Sequence, residues 1–173
     1  MRLFLIGFMG SGKSHVGQQL AKRLTLPFID LDEWIEQQQQ RPIREIFAEH
    51  GEAAFRQLEQ QALHETVHLE NAIISTGGGT PCFFDNMSWM NQHGVTIYLE
   101  VPVPILVQRL LPQRAKRPLI KDLEASELAD FIHQKLAERV PFYEQAQVIY
   151  HVSSARENVA DALYQQFSNI IGH

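Results

Sequence analysis

A single cysteine, Cys82, stands in 173 residues. It excludes an intrachain disulfide and suits a reducing compartment. Cations are scarce as well. Fifteen Lys and Arg against 20 Asp and Glu give a formal net charge of −5, so the composition offers no basic face for nucleic acid. Long apolar runs are missing. Leu3 to Met9 is mostly apolar behind Arg2, but it is too short for a bilayer and lacks a small-residue cleavage pattern. It reads as a first buried strand, and the chain as cytoplasmic with no membrane partner. No repeat is visible, and Gln37–Gln40 is too short for low complexity; it reads as a solvated helix end. With 45% hydrophobic and 20% charged residues, the chain is expected to form one soluble domain over residues 1–173. Nothing requires an oligomer, so a monomer is expected.

What is present is a phosphate-binding loop. Gly7-Phe8-Met9-Gly10-Ser11-Gly12-Lys13-Ser14 matches G-x-x-x-x-G-K-[ST]. An apolar run of strand length, Arg2–Ile6, precedes it, and apolar residues at 16, 20, 21 and 24 give the following segment helical spacing. Strand, glycine-rich loop and helix are the context in which this motif acts. Backbone N–H groups of Gly10, Ser11 and Gly12 can turn around a polyphosphate, and the helix N-terminus adds its positive end. Lys13 can reach the β- and γ-phosphates, and the Ser14 hydroxyl can ligate Mg²⁺. A nucleoside triphosphate is the expected ligand.

Five short apolar runs punctuate the chain: Arg2–Ile6, Phe28–Leu31, Ala72–Ser75, Val95–Val101 and Val148–Val152. Between them lie helical stretches at Val16–Leu24, Ile43–Leu69, Pro104–Leu110, Ala125–Tyr143 and Asn158–Ile171. The alternation predicts an α/β fold, a five-stranded parallel sheet with helices on both faces. Residues 111–124 stand apart, with two prolines, four cations and no period. They read either as a plain loop or as a mobile lid whose cations close over phosphates.

The second strand ends in Asp30-Leu31-Asp32. Strand alternation would put both carboxylates on one face, at the carboxyl end of the sheet where ligands gather. One could organise a metal and the other accept a proton; alternatively the pair caps a helix beginning near Glu33. Ser75-Thr76-Gly77-Gly78-Gly79-Thr80 follows the third strand and exposes backbone amides to a close ligand. No apolar run ending in Asp occurs there, so magnesium falls to Asp30, hydroxyls and water. Arg56 lies three residues before Glu59 and can pair with it, and Arg139 lies on a later helix. Each is either a solvated helix charge or half of a clamp for an anionic acceptor. His64-Glu65-Thr66-Val67-His68 matches H-E-x-x-H. It lacks a third ligand and an extension, so it reads as a helix end and not as zinc chemistry.

Taken together these residues resemble shikimate kinase over nearly the whole chain. The likeness rests on the phosphate loop, Phe28-Ile29-Asp30-Leu31-Asp32 with Ile35-Glu36, Ile46-Phe47, Gly51-Glu52, Phe55-Arg56, Glu59, Ser75–Gly79, Arg117-Pro118-Leu119, Arg139 and Tyr143. It implies a P-loop kinase of the nucleoside-monophosphate-kinase type, a three-layer sandwich with a substrate-binding helical region at 33–62 and a mobile lid at 111–124. It implies transfer of the ATP γ-phosphate to the 3-hydroxyl of shikimate, a step of aromatic amino-acid biosynthesis, with Mg²⁺. By that resemblance Asp32 holds the acceptor hydroxyls and takes the proton, while Asp30 organises Mg²⁺ through water. Arg56 and Arg139 take the acceptor carboxylate beside Gly78 and Gly79, and Arg117 comes from the lid to the phosphates, near Lys13. His15 stands where a second small hydroxyl residue is common. Arg156 resembles an adenine-stacking residue, although Asn158 replaces the proline often found two positions on. The second lid cation is open among Arg109, Arg114 and Lys116. A kinase of another small sugar acid such as gluconate, and a non-catalytic nucleotide-binding scaffold, are the competing readings.

Overall fold

The computed structural model describes residues 1–171. Its strands are β1 (Arg2–Ile6), β2 (Phe28–Asp30), β3 (Ala72–Ser75), β4 (Val95–Glu100) and β5 (Val148–His151). They form one parallel sheet in the order β2-β3-β1-β4-β5. The helices are α1 (Lys13–Leu24), α2 (Leu31–Gln39), α3 (Ile43–Glu65), α4 (Asn86–His93), α5 (Val103–Leu110), α6 (Ala125–Tyr143) and α7 (Val159–Ile171). No described helix is long and apolar enough to cross a membrane.

β1 is apolar throughout because both its faces are covered. Leu3 and Leu5 join a core built with α1, α5, α6 and α7. Phe4 and Ile6 point the other way, into a core built with α2, α3 and α4. All four side chains have 0% exposure. Burial at about 1.5–3 kcal/mol each outweighs the roughly 1–2 kcal/mol that ordering each backbone unit costs. This strand anchors the loop that follows it. The chain leaves β1 for β2 on one side, while β4 lies on the other, so the loop occupies the sheet's switch point.

Three local features depart from the expected pattern. β2 stops at Asp30, one residue early, because its carboxylate Oδ1 accepts the N–H groups of Asp32 (3.0 Å) and Glu33 (3.2 Å) as the N-cap of α2. Asp30 and Asp32 therefore do not alternate along one strand; Asp32 sits in the first turn of a helix. The stretch expected as one helix over 43–69 is broken at Gly51, whose φ of 79° and ψ of 176° are non-helical, and it ends at Glu65 before a 3-10 turn. Helix α4 carries only two buried apolar residues, Met87 and Met90, in eight, too little periodicity to register in the sequence.

Helix α6 keeps its expected bounds. A reciprocal capping box sets its start, with the Glu124 N–H donating to the Glu127 carboxylate at 2.8 Å.

Candidate active site

The carboxyl ends of β1, β2 and β3 open into a cleft of about 450 Å³. It collects Gly10, Gly12, Lys13, Ser14, His15, Asp30, Asp32, Arg56, Gly78, Gly79, Arg117 and Arg139, residues that lie up to 129 positions apart in sequence. Parallel strands ending at one level bring them together.

The phosphate loop forms its floor. Gly12 caps α1 with φ 88°, a left-handed backbone that a side chain would strain. No acidic residue occupies the first turn of α1, so the positive end of the helix is uncompensated. The Lys13 ammonium donates to Gly7 O (2.7 Å) and Phe8 O (3.0 Å). Burial lowers its pKa to about 8, partly opposed by the nearby Asp32 and Asp30 carboxylates. Ser11 is buried beneath the loop at 3% exposure.

Asp30 does two things at once. Oδ1 caps α2, while Oδ2 accepts the Ser14 hydroxyl at 2.5 Å, with the Ser75 hydroxyl 3.3 Å from that of Ser14. Capping thus accompanies the metal-facing geometry and does not compete with it. Carboxylate and hydroxyl oxygens converging beside the loop are the hard donors that Mg²⁺ takes, with water completing its shell; the residues fit that ion.

Asp32 faces the cleft from α2. Desolvation, with the Asp30 and Glu59 carboxylates adding to it, pushes its pKa up to about 6, against the pull of Lys13. Arg56 pairs with Glu59 at 2.9 Å and with Glu52 at 3.4 Å. Glu59, 1% exposed, also accepts the Thr80 hydroxyl at 2.8 Å. Arg139 differs: among the described residues it makes no ion pair. Its guanidinium lies 5.4 Å from the Phe8 ring centre, and a side chain on Gly78 would begin 3.2 Å from its NH1. Gly78 is further held by its carbonyl, which accepts the Tyr143 hydroxyl at 2.5 Å.

Arg117 enters the cleft just beyond the 3-10 turn Leu111–Lys116. Of the three other candidate lid cations, Arg109 touches the phosphate loop, donating to Gly10 O (3.3 Å) and Ser11 O (3.2 Å). Arg114 instead turns back on Leu111 O. A second cleft of about 790 Å³ continues past Gly10, Gly12 and the exposed His15 to Arg109 and Arg156. At its far edge Asn158 Oδ1 accepts the Asp161 N–H at 3.2 Å, the bond of an N-cap for α7. Asparagine thus starts the helix where proline is absent.

The sequence gives no sign of Thr80 in the site; it offers Arg109 only as one of three candidate lid cations, and Glu59 and Tyr143 only as part of the family resemblance, with no role in the site. Only the Arg56–Glu59 spacing carried a signal; the other contacts are long-range. The H-E-x-x-H segment is occupied otherwise. His64 stacks on Trp89 at 4.6 Å, and Glu65 accepts the Trp34 indole N–H (3.3 Å) and the Gln38 amide (2.6 Å). Among the described residues no group of three His, Cys, Asp or Glu could hold a metal.

Sheet order, loop and cleft define the class: a P-loop phosphotransferase acting on a small acceptor. Comparison with known proteins narrows it. The family model for shikimate kinase matches residues 9–170. A shikimate kinase of Bacteroides thetaiotaomicron is 46% identical over 157 residues, covering 91% of this chain and 90% of the relative. One from Bacteroides fragilis is 49% identical over 150 residues, covering 87% and 84%. Among solved structures, the B. thetaiotaomicron shikimate kinase superposes with a TM-score of 0.91 at 42% identity over 100% of this chain and 99% of that one. The Acinetobacter baumannii shikimate kinase in complex with shikimate gives 0.84 at 32% identity, covering 97% and 93%. The chain belongs to the shikimate kinase family and is an ATP-dependent phosphotransferase of the shikimate pathway.

Proposed function

We propose that the cleft transfers the γ-phosphoryl group of ATP to the 3-hydroxyl of shikimate, with Asp32 as the base. The observation that carries this reading is Asp32 itself: a carboxylate with a pKa near 6, in one cleft with Lys13 and the unpaired Arg139. A base poised just below neutral pH is ionised in use, yet basic enough to accept a hydroxyl proton as the oxygen attacks.

Each further role follows from position. Gly10, Ser11 and Gly12 cradle the polyphosphate with backbone N–H groups, and Lys13 leaves its loop carbonyls to meet the β- and γ-phosphates. Ser14 and Asp30 would hold Mg²⁺, Ser14 directly and Asp30 through water, and the bound ion would supply charge neutralisation of the phosphates. Arg139 and Arg56 bind the acceptor carboxylate, Arg139 with the larger gain because it has no carboxylate to give up. Gly78 and Gly79 admit the acceptor ring beside them. Residues 33–62 form the acceptor-binding helical region and 111–124 the lid of a single kinase domain, with Arg117 closing on the transferring group. His15 and Arg156 flank the nucleotide in the second cleft, Arg156 against the base. We read the enzyme as a cytoplasmic monomer, in keeping with the solitary Cys82 and the acidic composition.

The test is ADP release from Mg-ATP in a coupled assay, with shikimate, gluconate and no acceptor in parallel. Turnover with shikimate alone is expected. Turnover with gluconate, or equal rates without acceptor, would overturn the acceptor assignment.

A further inference from the structure

Phe83 does not line the cleft, yet it lies against the residue that gives the cleft much of its acceptor chemistry. Its ring centre is 4.1 Å from the Arg56 guanidinium carbon, inside the range for a cation–π contact. Phe55 is more distant at 5.3 Å. On another side of the same group is Gly79. A side chain there would begin 2.7 Å from NH1, 2.7 Å from NH2 and 2.9 Å from Cζ. The two terminal nitrogens are nearest and Cζ slightly farther, so Gly79 stands obliquely over the Nη1–Nη2 side of the group. Glu59 and Glu52 take N–H groups on the rim. Arg56 is thus held between the Phe83 ring, the Gly79 backbone and two carboxylates.

The backbone next to Phe83 makes a sharp corner. Phe84 adopts φ 51°, a left-handed conformation uncommon for a bulky residue, yet its own side chain is 56% exposed. Packing of Phe84 does not repay that strain. Phe83, by contrast, is half-buried where it follows the 3-10 turn Thr80–Cys82.

Resting on the reading of Arg56 as a ligand of the acceptor carboxylate, we propose that Phe83 is a positioning residue for shikimate binding. Its ring fixes the plane of the Arg56 guanidinium and shields one region of it from water, so the remaining N–H edge meets the carboxylate without a search over rotamers. Nucleotide binding is expected to be independent of it, because Phe83 lines neither cleft and shares none of the phosphate loop's hydrogen bonds.

Steady-state kinetics of Phe83→Met, Phe83→Tyr and Arg56→Lys test it, with thermal unfolding as a folding control. Met keeps apolar bulk without an aromatic face; Tyr keeps the face. Phe83→Met is expected to raise the shikimate KM roughly three- to thirtyfold, the span of a partly desolvated cation–π contact. The ATP KM should hold and kcat should change by less than about twofold. Phe83→Tyr should stay near the parent. A normal shikimate KM in folded Phe83→Met, or equal losses in the Met and Tyr variants, would overturn the proposal. Arg56→Lys separates the two readings. If it raises the shikimate KM while Phe83→Met does not, only the role of Phe83 falls. An unchanged KM in Arg56→Lys would remove the carboxylate role of Arg56 itself.

Discussion

The carboxylates of Asp32 and Glu59 converge on Gly77: a side chain there would begin 3.2 Å from Asp32 Oδ1 and 3.1 Å from Glu59 Oε2. The two acids come from different helices, and glycine at 77 lets both approach without being displaced. Like charges so placed disfavour joint ionisation, and Glu59 has Arg56 and Thr80 to satisfy it. Asp32 has neither partner, and burial with carboxylates nearby holds its proton above the usual carboxylate range.

That asymmetry predicts the pH dependence. Asp32 must lose its proton to act, giving kcat/KM a rising limb near pH 6. Lys13 must keep its proton to meet phosphate, giving a falling limb near pH 8. With both substrates well below their KM values the rate reports the unliganded enzyme, and its pH profile should be bell-shaped between these values. A flat acid limb down to pH 5 would remove Asp32 as the titrating base.

Asp32→Asn should trade activity for stability. The folded-state pKa, about 6 against an ordinary 3.8, lies above the unfolded value. Its contribution is therefore fully present below about pH 3.8 and is lost as pH rises through about 6. Asparagine mimics the protonated form, so the variant should be more stable at pH 8 by about 1–3 kcal/mol, or roughly 2–12 °C in Tm, and no more stable at pH 4. Turnover should fall about 10²- to 10⁴-fold. A Tm gain independent of pH would show that relief of ionisation is not its source.

Gly79→Ala should act on one substrate. The new methyl group would begin 2.7 Å from two Arg56 nitrogens, closer than any contact can be, and would push the guanidinium off its plane. Tenfold or greater loss in shikimate KM is expected, about 1.4 kcal/mol or more, with ATP binding by titration unchanged. Equal weakening of both would point to wider disruption of the loop after β3.

Gly51→Ala tests the break in α3. Nothing lies within 4 Å of the added atom, so its whole effect comes from the backbone at φ 79° and ψ 176°. That region is essentially confined to glycine, and a loss of about 1–3 kcal/mol in urea unfolding is expected. Full stability in the alanine variant would mean that α3 can run straight through.

Much of this protein was readable from its residues in order. The phosphate loop is a local object: its glycines, Lys13 and Ser14 are contiguous, so spacing alone specifies their geometry. The strand runs were legible because sheets covered on both faces need unbroken apolar sequence, as Arg2–Ile6 shows. Resemblance to a family then singled out Arg56, Arg139, Asp30 and Asp32, whose individual spacing was ambiguous and which the fold gathers in one cleft.

Folding decided the rest, because it depends on distances between segments that sequence order does not encode. Asp30 sits at a strand end in either description. Only three dimensions show one oxygen capping α2 while the other takes the hydroxyl of Ser14, sixteen residues away. Arg109 and Arg114 are equivalent in composition, yet α5 delivers only Arg109 to the phosphate loop. Phe83 and Arg56 belong to different segments, and their contact exists because the 3-10 turn Thr80–Cys82, just before Phe83, packs against α3. Local chemistry determined which groups the chain could offer. Packing determined which face one another, and the perturbed charges of Asp32 and Lys13 arise only from that shared burial.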